Sequence, residues 1–135
     1  MKDEWRRAAV EGDRETISRL IGAGENVDAR DRYGQTALML AARNGRDQVV
    51  GALLECGADP DVTAKFGLSA LMLAVINLHE TTALRLVEAG AASELRGNGA
   101  PGFAGKTAAD LAKARGLSDL AQRISGSGGD GASDT

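Results

Sequence analysis

Gly34-Gln-Thr-Ala-Leu-Met-Leu-Ala-Ala-Arg-Asn-Gly45, followed by Val49-Val50, Leu53-Leu54 and Gly57-Ala58, is the stretch that decides the fold. It returns 33 residues later as Gly67-Leu-Ser-Ala-Leu-Met-Leu-Ala74 with Leu86-Val87 and Gly90-Ala91. Its second half is already present 33 residues earlier, as Ala8-Ala9, Gly12, Ile17, Leu20-Ile21 and Gly24. A fourth copy, Gly105-Lys-Thr-Ala-Ala-Asp-Leu-Ala112 with Gly116, Leu120 and Ile124, follows a five-residue insertion. A fixed period of this length is the signature of stacked repeats.

Within the second copy, Thr36 can cap a helix, because its hydroxyl can take a free backbone N–H of the first turn. The spacing predicts a short helix over Ala37 to Arg43, with Leu38, Ala41 and Ala42 turned inward. Asn44-Gly45 ends it, since glycine tolerates the left-handed backbone of a helix stop. A second helix is predicted from about Arg46 to Glu55, its apolar stripe made by Val49, Val50, Leu53 and Leu54. Gly57 stops this helix. From Ala58 to Phe66 the chain reads as a turn or hairpin, with Pro60 unable to continue a helix.

The pattern resembles the ankyrin repeat, whose Gly-x-Thr-Pro-Leu-His-x-Ala signature matches Gly34 to Ala41, Gly67 to Ala74 and Gly105 to Ala112. The resemblance covers roughly nine-tenths of the chain. It implies an all-α solenoid of helix-turn-helix units joined by hairpin or turn loops, which grips a partner protein and carries no chemistry. Ala37, Ala70 and Ala108 stand at the family's proline, and Met39, Met72 and Asp110 at its histidine. Leu78 stands where the second copy has Gly45, so the third helix–helix turn is where a departure is expected.

The expected organisation is one domain over residues 1–124. Its repeats fall at about 1–30, 31–63, 64–96 and 102–124, with the insertion at 97–101. The end copies are atypical, because each solenoid end leaves a face in water. Trp5 takes the place of Leu38 and is expected to cover the open end of the core. After Ile124 the chain has no apolar residue larger than Ala, which predicts a disordered tail over 125–135.

Composition narrows the function. Aromatic residues are only 3% against 43% hydrophobic content, so the core must be built from aliphatic side chains. A net charge of −3 argues against a nucleic-acid partner. The longest apolar run, Ala70 to Ile76, is too short to span a bilayer. The charged N-terminus is no secretory signal, and a single cysteine, Cys56, makes no internal disulfide; the expectation is a cytoplasmic monomer.

Chemistry finds little footing. Ala100-Pro-Gly-Phe-Ala-Gly105-Lys106-Thr107 fits a relaxed phosphate-loop pattern, which would make the chain a nucleotide-binding switch or enzyme. Such a loop needs a buried strand before it, and Ser93 to Gly99 is polar and glycine-rich. Gly105-Lys106-Thr107 is also the repeat element already seen at Gly34 and Gly67. His79 and Cys56 fall at opposite ends of neighbouring outer helices, too far apart for a catalytic pair. No spacing fits a metal site, and no cofactor is expected. Asp28 and Asp61 are expected to be turn formers, and Met39 and Met72 part of the packed inner layer.

The aromatics are more informative. Apart from Trp5, they fall at the loop tips: Tyr33, Phe66 and Phe103. Arg30, Arg32, Lys65 and Arg96 lie on the same tips, and Arg43 closes an inner helix nearby. These residues predict a basic, aromatic-studded concave face for a partner with an acidic surface. Gln35, Asn44, Leu68, Ile76 and Asn77 complete the predicted contact set. The insertion is expected to touch the partner as well.

Overall fold

The computed structural model describes residues 1–99 and 102–128. Among them the helices are α1 (Asp3–Glu11), α2 (Arg14–Gly22), α3 (Ala37–Arg43), α4 (Asp47–Glu55), α5 (Ala70–Ile76), α6 (Glu80–Glu88), α7 (Ala108–Ala114) and α8 (Ser118–Gly128). They form four antiparallel pairs. The inner helices α1, α3, α5 and α7 pack in one row, and the outer helices α2, α4, α6 and α8 in a second row behind it. None of these helices is long and apolar enough to cross a membrane.

Local chemistry starts three of the four inner helices, α3, α5 and α7. Thr36 and Ser69 accept the N–H of Met39 and Met72, each at 3.3 Å. Thr107 accepts from Asp110, whose carboxylate reaches back to the Thr107 N–H at 3.0 Å, a closed capping box. Each inner helix also stops alike. The carbonyl of a buried alanine takes the N–H of the residue five positions on: Ala8 from Asp13, Ala41 from Arg46, Ala74 from His79, Ala112 from Leu117. This closure needs a left-handed residue one position earlier. Glycine supplies it at Gly12, Gly45 and Gly116, and Leu78 supplies it in the third pair at φ +65°. The turn expected to depart is therefore preserved, at the cost of a strained leucine whose side chain is 60% exposed.

Small residues let the rows approach. Ala37 to Ala42 and Ala70 to Val75 are buried without exception, so Met39 and Met72 belong to the packed layer. Across the outer row, Val49, Val50 and Leu53 are buried with Ala52, while Leu54 is only partly so. Trp5 does not lie over the open end: it is itself sealed in the core at 1% exposure. The last helix runs on past Ile124 to Gly128. The tail predicted from residue 125 is therefore helical for its first four positions, because nothing in 125–128 blocks continued i→i−4 bonding. The rest of the predicted tail, 129–135, lies outside the described residues.

Leu78→Gly should raise the free energy of unfolding by about 0.5–1 kcal/mol, the left-handed penalty less glycine's extra freedom in the unfolded chain. A urea midpoint below that of the parent would show that the leucine is needed there.

Candidate functional site

The loops between helix pairs are held by one repeated bond. Asp31 N–H donates to Gln35 C=O at 2.8 Å, Ala64 to Leu68 at 2.9 Å, and Gly97 to Lys106 at 2.9 Å across the insertion. Among the described residues the predicted hairpins are thus reduced to these closures, with isolated bridges at Arg30–Thr36 and Gly97–Ala104. A second series ties loop to loop. Asn26 Oδ1 accepts from Asp28 N–H at 3.0 Å, and Asp28 Oδ1 from Asp59 N–H at 2.9 Å. Asp59 Oδ1 accepts from Asp61 N–H at 2.9 Å, and Asp61 Oδ1 from Ala92 N–H at 2.7 Å. Asp28 and Asp61 are therefore turn formers, as expected, and they also staple each loop to the next.

The first tip is built on Asp31. One carboxylate oxygen accepts from the N–H of Tyr33 and of Gln35, both at 2.9 Å, and the other from Arg6 Nε at 3.2 Å. Partial burial pushes this carboxyl up, but the two backbone donors and the Arg6 guanidinium together outweigh it and hold it below the usual carboxylate range.

The second tip is strained. Phe66 sits at φ +66°, an outlier for a bulky residue, and Gly67 follows at +70°. The insertion folds back onto it: Asn98 N–H donates to Phe66 C=O at 2.7 Å, and the Phe103 ring lies 6.0 Å from the Phe66 ring. Gly97 makes this approach possible, since a Cβ there would stand 2.5 Å from the Phe103 carbonyl oxygen. The segment 91–99 contains no strand, and Thr107 caps α7, so the structural context of a phosphate loop is missing ahead of Lys106. Ala100 and Pro101 of that motif lie outside the described residues.

Tips and inner helices enclose two adjoining hollows. The first, about 340 Å³, is lined by Phe66 and Phe103 of the loops, by Leu68 just ahead of α5, by Leu73 and Ile76 of α5, and by Asn77 at its end. The second, about 540 Å³, is lined by Arg6, Arg32, Tyr33, Gln35, Arg43 and Lys65. Gln35, Arg43 and Lys65 belong to both.

Several side chains on these tips and helix ends are already engaged. Arg30 Nη1 donates to Thr63 C=O at 3.1 Å, a strut between loops, and Arg96 Nη1 to Gly105 C=O at 2.7 Å, which closes the insertion. Neither lines a hollow. The Asn44 and Asn77 amides donate to Leu40 and Leu73 carbonyls at 2.7 and 2.8 Å, ending their helices. Arg32 lies 5.5 Å over the Tyr33 ring, and Lys65 Nζ lies 5.0 Å over that of Phe66. Tyr33 is 59% exposed. Arg43 has no hydrogen bond or ion pair among the described residues, and Gln35 Oε1 is buried without a donor.

The hollows include three residues that sequence reasoning left out, Ala64, Leu73 and Arg6. Leu73 looked like core alone. Arg6 belongs to the copy without a loop, but it stands 33 residues before Met39, and a cation at that position was the available signal. His79 and Cys56 occupy the N-terminal boundary of α6 and the C-terminal boundary of α4, and no group of three His, Cys, Asp or Glu could hold a metal among the described residues.

Compared with known families, residues 6–97 match the one described as ankyrin repeats, in three copies. No curated protein matches the chain.

The depressed Asp31 carboxyl stabilises the first tip at pH values above the ordinary aspartate pKa, and the benefit is lost as pH falls through the lower folded value. The Tyr33 and Gln35 amide resonances should therefore titrate together, with a midpoint under about 3.9. Separate midpoints, or a shared one higher than this, would contradict the assigned network.

Proposed function

Since the chain belongs to the ankyrin-repeat family, whose members are generally protein–protein interaction modules and typically non-catalytic, we propose that it binds a partner protein through its concave face and loop tips, without catalysis. The partner presents an acidic surface and is bound by a single copy of the chain in the cytoplasm. What carries the reading is a surface that is unfinished by itself. The Arg43 side chain has no partner among the described residues, and Tyr33, which lines the same hollow, stands in solvent. Tyrosine and arginine are also the side chains that most often dominate interfaces. Phe66 and Leu68 offer apolar contact beside them. A face of this kind supports an interface of roughly 800 Å² per partner. The module is the four helix pairs, ending with α8.

Arg43 and Tyr33 are the cleaner probes, because Phe66 also supports its own tip through Phe103. Tyr33→Ala with Arg43→Glu should abolish affinity capture of the natural partner, and weaken binding of that partner once purified at least tenfold, while helical circular dichroism and the urea midpoint stay close to the parent's. Undiminished binding by the double variant would refute a role for the concave face.

A further inference from the structure

The two hollows differ in chemistry and share a wall. The first is lined by the apolar side chains of Leu68, Leu73 and Ile76 together with the Phe66–Phe103 ring pair. The second has four cations on its lining and no carboxylate. That concentration runs against the composition, which is net negative at −3. Arg6 is neutralised by Asp31 at 3.2 Å. Arg32 and Lys65 rest over aromatic rings, which orient a cation without cancelling its charge. Arg43 is unpaired among the described residues. Three positive charges are thus left facing one space, next to a greasy slot.

Resting on the protein-binding reading above, we propose that these hollows recognise a short extended segment of the partner, in which an aliphatic or aromatic side chain adjoins at least two carboxylates. The apolar side chain enters the slot between Phe66, Phe103 and Ile76. The carboxylates meet Arg43, Lys65 and Arg32, with Arg43 free to grip one bidentately. Gln35 lines both hollows and so marks where they meet. Successive residues of an extended segment advance about 3.3 Å. Because Gln35, Arg43 and Lys65 line both spaces, anchor and acids fall within a few positions of each other.

The test is fluorescence anisotropy of the full chain with labelled ten-residue probes. Each probe carries one anchor (Leu, Ile, Phe or Tyr) next to Glu-Glu-Asp in either order, in a Gly-Ser background. At least one probe should bind saturably. Serine in place of the anchor, or Gln-Gln-Asn in place of the acids, should weaken it tenfold or more. Arg43→Glu should cost at least tenfold, Lys65→Ala a smaller factor, and raised salt should weaken the acidic probe but not its Gln-Gln-Asn version. Binding that ignores the anchor, or that survives neutralisation of the acids, would overturn the proposal, as would failure of every probe. If every probe fails while Tyr33→Ala with Arg43→Glu still loses the natural partner, the concave-face reading stands and this peptide specificity falls. If the double variant keeps the partner as well, both fall.

Discussion

In every repeat the carbonyl of one buried alanine takes the N–H of the residue five positions on, across a left-handed turn. This closure reverses the chain within about three residues and lays the outer helix back along the inner one. The repeated array depends on it, because a helix of seven residues such as α3 or α5 is too short to hold itself in water. Stability must come from packing each pair on the next, and identical reversals make identical pairs. The third repeat shows how strong the constraint is. Leu78 adopts φ +65° so that Ala74 and His79 can close.

Stacking follows from the small side chains of the inner row and from bonds that step along the array. Asn26, Asp28, Asp59 and Asp61 relay backbone N–H groups from the first loop to the third. Each such bond is worth only about 0.5–1.5 kcal/mol net. Their larger effect is to hold successive loops in register, so that the tips lie side by side and the hollows between tips and helices keep their shape. Arg30 adds a strut of the same kind to Thr63.

The insertion changes the character of the surface rather than extending it. It folds back on the second tip, places Phe103 beside Phe66, and is itself held by Arg96 and by the glycine at 97. Phe66 is held in a backbone conformation that bulky residues avoid, and a packed neighbour is what keeps such strain in place. An apolar slot therefore forms between that tip and the inner helices, beside a space that the first tip leaves cationic.

Sequence alone determined the period, the helix starts at Thr36, Ser69 and Thr107, the stops, and the aliphatic inner layer. These rest on bonds and side-chain spacing within a single repeat, so the residues that make them are neighbours in the chain. Only the tertiary structure separated the equivalent-looking residues of the concave face. Arg30 and Arg96 spend donors on loop carbonyls, and Asn44 and Asn77 spend theirs on helix ends, while the Arg43 side chain is left open. It also moved Trp5 from a lid to the core and set Phe103 against Phe66. Apart from the two asparagine bonds, which reach back four residues in their own helices, these outcomes depend on groups 30 or more residues apart, or on a loop with no counterpart in the other copies. A periodic sequence says which positions are equivalent, but the partner each side chain finds depends on the repeat stacked beside it.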